Sequence, residues 1–273
     1  MKRGTEKLMS PECSPAKPRH TAAIEPGRRG TLSSRYTVRL ATTQKEIESA
    51  LRLRYDVFNV ELAGQSPRDD ILRLEYDKFD FACRHLIVVD EQTGETVGTY
   101  RLNSLETAGA ASGFYSYGEF SIEDLPEAVL EKSIEIGRAC IAREHRNTKV
   151  LFLLWKGLAD YLRKTEKRYL FGCCSIFTTD HSEGWDVFRK LMRDGFLHQS
   201  LTVRPRAEKT CRQDGVADID DHLELPQLFK MYLAIGAKIC GAPVVDPEFG
   251  TIDYFVVCDV ENINEKYRRL LLG

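Results

Sequence analysis

One apolar segment with two charges inside it places the strongest constraint on the fold. Residues 133–141 read SIEIGRACI, and Ile134 and Ile141 stand among small residues in the manner of a buried β-strand. The same segment contains Glu135 and Arg138. A charge is costly inside a buried strand unless it is paired or has a chemical task. The segment therefore predicts an ion network or a reactive site within a sheet.

Strand-like and helix-like segments alternate along the chain from about residue 36. The predicted strands are YTVRLA (36–41), HLIVVD (85–90), TVGTYRL (96–102), SIEIGRACIA (133–142), YLFGCCSIF (169–177) and TIDYFVVCDV (251–260). The predicted helices are 43–64, 148–164, 183–195, 225–240 and 263–272, and the polar stretch 200–224 is expected to be a loop. This alternation predicts the α/β class with a mixed sheet.

The composition excludes several kinds of protein. A chain of 273 residues, 42% of them hydrophobic, is long enough for one large domain. The net charge of −2 offers no global field for nucleic acid, so DNA and RNA binding are disfavoured. The apolar run VLFLLW is far too short to span a bilayer. The 8 cysteines form no CxxC motif, so we expect reduced thiols in a cytosolic protein and no metal site.

The first 34 residues differ from the rest of the chain. They lack apolar periodicity, are rich in Pro, Gly, Ser and basic residues, and contain no hydrophobic segment of the secretory type. We expect a disordered basic tail over residues 1–34 and a single domain over residues 35–273.

Six charged residues occur in contexts that are sheet-like or face a core. One of them, Arg54, lies on the apolar stripe of the first predicted helix, four residues before Phe58. Taken singly, each has an ordinary explanation, such as a turn or a stem that reaches solvent. Together they balance in charge, as a desolvated ion network requires. The set is Arg54, Arg101, Arg138, Asp77, Asp80 and Glu135.

The order and spacing of these residues resemble the signature of the acyl-homoserine-lactone synthases. That signature corresponds here to Arg54-x-x-x-Phe58, Glu75-Tyr-Asp77-x-x-Asp80, Arg101 and Glu135-x-x-Arg138. Other stretches resemble the bacterial ornithine-lipid N-acyltransferases more closely: VGTYRL (97–102), GFYSYGEF (113–120), EIGRACIAREHR (135–146), LLWKGLADY (153–161), FGCCS (171–175), LPQLFKMYLAIGA (225–237) and VVDPEFGTIDYFVV (244–257). Each motif alone is weak, but their joint order covers residues 36 to about 265.

The resemblance implies a GNAT-like acyltransferase fold, with a mostly antiparallel sheet flanked by helices. In this fold two neighbouring strands splay apart to admit a phosphopantetheine arm, and the strand 133–142 is expected to line that cleft. Gly137 is a natural place for a bulge in this strand. Without one, Glu135 and Arg138 would point to opposite faces of the sheet.

The donor is expected to be acyl carrier protein rather than coenzyme A. Most GNAT acetyltransferases bind the pyrophosphate of coenzyme A with R/Q-x-x-G-x-G/A at a helix N-terminus. The corresponding stretch here, RNTKVL (146–151), has a lysine and a leucine in place of the two glycines. This departure suits a donor with a single phosphate, and no further cofactor is expected. The candidate phosphate- or carrier-binding residues are Arg143, Arg146, Thr148 and Lys149; a second basic run, 163–168, is equally well explained as a solvated face.

The reaction implied by the resemblance is transfer of a long, 3-hydroxy acyl chain to the α-amine of ornithine, the first step of ornithine lipid biosynthesis. Glu135 is predicted to be the general base, with Arg138 as its catalytic partner. Backbone N–H groups in the cleft would stabilise the oxyanion. Residues predicted to hold the N-terminal segment over the site and to contact the substrate are Arg54, Phe58, Asp77, Asp80 and Arg101.

Several alternatives stay open at this point. The acceptor amino acid could instead be glycine, lysine or tyrosine, or the chain could be a non-catalytic scaffold that binds acyl carrier protein. HSEGWD, from His181 to Asp186, matches the H-x₄-D dyad of glycerolipid acyltransferases, but their F-P-E-G motif is absent. Because the product would be a lipid, we expect a cytoplasmic protein with peripheral contact to the inner face of the membrane.

Overall fold

An eight-stranded mixed sheet lies at the centre of the computed structural model, which describes residues 35–66, 71–109, 113–213 and 224–272. The strands are β1 (Tyr36–Leu40), β2 (Arg84–Asp90), β3 (Glu95–Ser104), β4 (Ser133–Ile141), β5 (Tyr169–Ile176), β6 (Lys238–Ile239), β7 (Val244–Asp246) and β8 (Thr251–Asp259). The predicted tail over residues 1–34 lies outside the described residues, and the extent of the single domain stays a prediction.

The strand order is β1-β2-β3-β4-β5-β8-β6, with β7 also paired to β8. Neighbouring strands are antiparallel except β4 and β5, which are parallel. The predicted α/β class with a mixed, mostly antiparallel sheet is therefore confirmed. The parallel pair lies at the middle of the sheet, so β4 and β5 are buried between other strands.

Helices cover both faces of this sheet. They are α1 (Gln44–Arg54), α2 (Leu105–Ala108), α3 (Glu127–Glu131), α4 (Thr148–Lys164), α5 (His181–Arg193), α6 (Gln227–Ile235) and α7 (Glu265–Leu272). On one face α4, α5 and α6 bury Leu154, Val187 and Leu233 in the main core. The other face carries α1 and a smaller core around Phe114 and Phe120. The two faces can therefore hold different parts of a site.

The first helix begins as predicted. The Thr43 hydroxyl accepts from the Glu46 N–H at 3.3 Å, and the Glu46 carboxylate accepts from the Thr43 N–H at 3.1 Å, which forms a capping box. The chain then continues without a break as a π-helical segment, Tyr55–Leu62. The predicted helix is thus confirmed in extent, but directly after Arg54 its hydrogen bonds change from the α-helical to the π-helical pattern.

The helix predicted over residues 225–240 is shorter in the structure. It ends at Ile235 because Gly236 has a φ of 125°, which a right-handed helix cannot continue. The chain then returns as β6, so the prediction of a helix to residue 240 was wrong. Strands of two or three residues, such as β6 and β7, are too short to show a periodic pattern in the sequence.

A β-bulge in β4 controls the direction of Arg138. Thr99 of β3 pairs with Cys140 and Arg101 pairs with Gly137, so Tyr100 lies opposite two residues of β4. Arg138 has a φ of 50°, in the left-handed region. The bulge expected near Gly137 is confirmed, with the unusual backbone at the next residue. It brings Arg138 to the same face of the sheet as Arg101 and Glu135.

The parallel strands β4 and β5 separate soon after they meet. Their pairing covers three residue pairs and ends at Glu135 and Phe171. At the point of separation, a Cβ added to Gly172 would lie 2.4 Å from the carbonyl oxygen of Ile136. The splayed strands expected from the family resemblance are therefore present, and a glycine lets the two backbones approach closely before they part.

We expect Gly172→Ala to lower the free energy of unfolding by about 1–3 kcal/mol, because its methyl group meets backbone and not a flexible side chain. The matched control is Gly137→Ala on the opposite strand, where an added Cβ meets nothing within 4 Å. That variant should stay within about 0.5 kcal/mol of the parent in urea unfolding. Equal stability of the two variants would contradict this description of the cleft.

Candidate active site

The charged residues form a closed ring on the face of the sheet that carries α1. Arg54 binds Asp80 through two hydrogen bonds of 2.6 and 3.0 Å and also binds Glu75. Arg101 lies 2.7 Å from Asp77 and 3.4 Å from Asp80. Arg138 closes the ring by binding Glu75 at 3.1 Å and Asp77 at 3.3 Å. Each ion contacts two ions of opposite charge.

This ring joins four parts of the chain that are distant in sequence. Arg54 ends α1, Arg101 is on β3, Arg138 is on the bulge of β4, and the acids all lie in the segment 75–80. Arg54 is 0% exposed, so its charge depends entirely on these partners. Burial alone would raise the pKa of Asp80, but Arg54 and Arg101 outweigh it and lower this pKa to about 2.

The acid that completes the ring is Glu75 and not Glu135. On the balance of charges in the sequence, Glu135 was predicted to belong to the ion network, and this assignment was wrong. The Glu135 carboxylate accepts from the N–H groups of Tyr115 and Ser116 at 2.9 and 2.8 Å, and from the Ser116 hydroxyl at 2.7 Å. It therefore anchors the segment 113–125 to β4. A carboxylate has about four acceptor directions, so among the described residues these three bonds leave one direction on Oε2 without a donor.

The arginine side chain of the bulge borders the anchored segment. The guanidinium carbon of Arg138 lies 5.0 Å from the ring centre of Tyr115 and 4.8 Å from that of Phe249. The guanidinium of Arg101 lies over the same Tyr115 ring at 5.8 Å. Phe58 is half-buried and packs against Leu53, Val57 and Cys140 beside the ring of ions. The predicted substrate-binding residues are thus brought together, although their contact with substrate stays a prediction.

An apolar pocket lies where β4 and β5 part. It is small, with a cavity volume of about 30 Å³, and is lined by residues from both faces of the sheet. Ile136, Trp155 and Tyr232 line it from the side of α4 and α6, whereas Phe171 and Cys173 pack with the other face.

The predicted phosphate-binding residues surround the N-terminus of α4, but they are not equally available. The Asn147 side chain accepts from the N–H groups of Lys149 and Val150 at 3.1 and 3.0 Å. Arg146 is held by Glu61 through hydrogen bonds of 2.5 and 2.6 Å. The helix N–H groups that would bind a pyrophosphate are therefore partly occupied by the chain itself. Arg143, Thr148 and Lys149 stay in the predicted set.

A second acidic group lies on the same face, and sequence reasoning did not single it out. Oxygens of Glu119 and Asp253 and the Sγ atom of Cys173 all lie within 4.8 Å of one another. Glu119 is 3% exposed, and neither of its carboxylate oxygens has a hydrogen-bond partner among the described residues. Burial, and then the charge of Asp253, raise the pKa of Glu119 to about 9. The motifs GFYSYGEF and TIDYF contained these acids, but nothing in their spacing shows that they meet.

The H-x₄-D match does not form a dyad. His181 accepts from the Arg212 N–H at 2.9 Å through Nδ1, and Asp186 is bound to Arg189 one turn along α5. Each residue therefore has a separate structural partner. Among the described helices, none is long and apolar enough to cross a membrane.

Known proteins match this chain over most of its length. The family model of the acetyltransferase (GNAT) domain matches residues 53–156. An L-ornithine N(alpha)-acyltransferase of Rhodobacter capsulatus is 34% identical over 244 residues, which cover 85% of this chain and 93% of that protein. A protein of the same name from Brucella abortus is 32% identical and covers 90% of each chain.

This chain belongs to the family of the L-ornithine N(alpha)-acyltransferases. It is an acyltransferase with the α/β GNAT-like fold. Among solved structures, a CoA-dependent acyl-homoserine lactone synthase is 13% identical, covers 86% of this chain and 87% of its own, and superposes with a TM-score of 0.49. The family expected from the sequence motifs is therefore confirmed.

In this acyltransferase, loss of Asp80 should leave each of two buried guanidiniums, Arg54 and Arg101, with one acid in place of two. We expect Asp80→Asn to lower the free energy of unfolding by about 3–5 kcal/mol, as is usual when one member of a buried ion pair is removed. The control is Asp160→Asn, which breaks the exposed pair with Arg163 and should cost less than about 1 kcal/mol in urea unfolding. Similar losses in the two variants would show that the ring does not stabilise the fold.

Glu119 should destabilise the folded enzyme as the pH rises. A carboxyl with a folded pKa of about 9 keeps its proton in the folded state while the unfolded chain, with a pKa near 4.5, releases it. The contribution of this group to the free energy of unfolding therefore falls as the pH rises from about 4.5 to about 9. We expect Glu119→Gln to have a higher melting temperature than the parent at pH 8, with a smaller difference near pH 5. A difference that does not change with pH would contradict this assignment; the exposed Glu123→Gln is the control.

Proposed function

We propose that this acyltransferase moves a long, 3-hydroxy acyl chain from acyl carrier protein to the α-amine of ornithine. The products are lyso-ornithine lipid and free carrier thiol, at the first step of ornithine lipid biosynthesis. Relatives named L-ornithine N(alpha)-acyltransferase, 30–34% identical over most of the chain, support the acceptor. The parting of β4 and β5 at Glu135 and Phe171 is the structural observation that carries the proposal.

The donor arm enters between the parted strands. An extended phosphopantetheine needs a slot where strand edges are unpaired, and β4 makes no pair with β5 beyond Glu135. The acyl chain then follows the apolar pocket past Ile136 and Trp155. Asn147 already caps α4, which disfavours the pyrophosphate of coenzyme A. Arg143 and Lys149 offer charge for a single phosphate or for the acidic surface of acyl carrier protein.

The acceptor amine must lose a proton before it attacks. The α-ammonium gives this proton to the open direction on Oε2 of Glu135, directly or through water. The neutral nitrogen then forms a bond to the thioester carbon and the carbon–sulfur bond breaks. The leaving thiolate takes up the second proton, which the nitrogen loses as the amide forms. Unpaired N–H groups of the parted strands would hold the oxyanion. Arg138, fixed by Glu75 and Asp77, borders this position.

The product identifies the reaction. Purified protein is incubated with 3-hydroxyacyl carrier protein, or with the same acyl chain on coenzyme A, and a mixture of ornithine, lysine, glycine and tyrosine. We expect mass spectrometry to find N-acyl ornithine, formed faster from the carrier protein. Acylation of another amino acid would show that ornithine is not the acceptor. Equal rates from both donors would show that the enzyme does not prefer acyl carrier protein to coenzyme A. A chain that binds acyl carrier protein but never releases its thiol would be a scaffold, and the proposal would be wrong.

The proposed role of Glu135 has its own test. We expect Glu135→Gln to lower kcat by about 10²–10⁴-fold, because the amide cannot take the proton. The control is Ser116→Ala, which removes one hydrogen bond to Glu135 but keeps the Glu135 carboxylate that takes the proton. This variant should lower kcat by less than about 10-fold. If both variants lose activity to the same degree, Glu135 acts as an anchor of the segment 113–125 and not as a base.

Because the product carries an acyl chain, we also propose that the enzyme works at the inner face of the cytoplasmic membrane through peripheral contact. Sedimentation of the protein with vesicles of anionic lipid, compared with neutral lipid, measures this contact.

A further inference from the structure

Glu119 and Asp253 are the exception among the buried acids. The other buried carboxylates that the structure describes each have a cation or several hydrogen bonds, and these are Asp80, Asp90, Glu135 and Asp246. Glu119 and Asp253 are 3% and 4% exposed and form no ion pair with the described cations. Lys209 lies on this side of the sheet, but it is bound to Asp246 at 3.0 Å. Two adjacent acids without a counter-ion in a buried place are costly to keep ionised, and for this reason the pKa of Glu119 is raised.

Two further buried oxygen atoms at this place also have no partner. Oδ1 of Asp253 and the hydroxyl of Thr251, a residue that is 5% exposed, have no well-formed hydrogen bond in the described part of the chain. The polar side chains beside Asp253 include Thr251 and Glu119, which belong to this same group. With both oxygens of Glu119, this makes four unsatisfied polar atoms on neighbouring elements. Buried polar groups are almost always hydrogen-bonded in folded proteins. The group is therefore arranged to receive a ligand that donates several hydrogen bonds and carries positive charge.

The acids lie next to the proposed site of amine attack. Ser116, which donates to Glu135, also lies 3.5 Å from the Sγ atom of Cys173. Cys173 in turn lies within 4.8 Å of the oxygens of Glu119 and Asp253. Cys173 is partly exposed and lines the pocket at the strand split. Glu135 and the acid pair are therefore joined through two neighbouring side chains, Ser116 and Cys173.

We propose that Glu119 and Asp253 bind the side-chain ammonium of a diamino acid acceptor while its α-amine faces the thioester. This inference rests on the proposed function and adds the group that distinguishes ornithine from neutral amino acids. A primary ammonium has three N–H donors, one for each of the three carboxylate oxygens that lack partners, two on Glu119 and one on Asp253. Its charge supplies the counter-ion that lets these carboxyls release the proton that burial makes them keep. A site built to bind such a group rejects an analogue that lacks it, because the acids are then left unpaired.

A metal ion fits the same place less well. Only three potential ligand atoms converge among the described residues, and one is the thiol of Cys173. Burial and the neighbouring acids raise the pKa of this thiol well above its ordinary value. A metal requires the thiolate, which is disfavoured here. An ammonium needs no ionised sulfur.

The experiment compares ornithine with norvaline, which has the same carbon chain without the side-chain amine. Release of carrier thiol from 3-hydroxyacyl carrier protein gives kcat/KM for each acceptor. We expect the parent to prefer ornithine by at least roughly 100-fold. Glu119→Gln and Asp253→Asn should each lower kcat/KM for ornithine by roughly 10- to 100-fold, which reduces the preference by the same factor. The value of kcat/KM for norvaline should stay nearly unchanged. Glu123→Gln, an exposed acid of the same segment, should keep the full preference.

Each other outcome overturns the inference in a distinct way. An equal loss for both acceptors would assign Glu119 to the chemical step or to folding. Activity of the parent that is removed by a chelator and restored by a divalent ion would assign the acids to a metal. If neither variant folds, calorimetric titration of the parent without donor decides, because equal affinity for ornithine and norvaline contradicts an ammonium site. Failure of the parent to acylate ornithine at all refutes the proposed function itself, whereas an active parent with unchanged preference in both variants refutes only the ammonium site.

Discussion

The architecture of the site depends on one fully buried guanidinium. Arg54 ends α1 inside the protein, and its charge is tolerated only because Asp80 and Glu75 lie against it. Those acids belong to an irregular segment that has few other reasons to adopt one conformation. The same acids bind Arg101 and Arg138, so a single ring orients the segment, the helix and two strands. Removal of water from this ring makes its geometry specific, because every unpaired arrangement leaves a buried charge.

The ring also determines what the neighbouring strands present to the cleft. The left-handed backbone at Arg138 brings its side chain to the ring, and the guanidinium then covers Tyr115. Glu135, three residues earlier, fixes the backbone of Tyr115 and Ser116 from the other side. The segment 113–125 is thus held at a defined distance from the place where β4 and β5 part. Glu119 of this segment and Asp253 of β8 both come within 4.8 Å of the Sγ atom of Cys173.

Several features of this enzyme were predictable from local sequence. The capping box of α1, the limits of α4 and the long strands follow from patterns within ten to twenty residues, since capping and amphipathic periodicity are local properties. The balance between arginines and acids also predicted an ion network. Its membership was only partly correct, because Glu75 and Glu135 are both acids near the right motifs and only their positions in space separate them. The end of α6 at Gly236 was missed, because an apolar pattern continues past the glycine that reverses the chain.

What the sequence by itself determined is the family, the α/β class and the set of charged residues that must find partners, because motif order and hydrophobic periodicity are written along the chain. The tertiary structure alone decided which acid meets which arginine. It also decided where the parallel strands part and that Glu119 approaches Asp253, 134 residues further along the chain. The physical reason is that ion pairing, strand separation and desolvation depend on distances between segments. Those distances are set only when the sheet brings β4, β5 and β8 side by side.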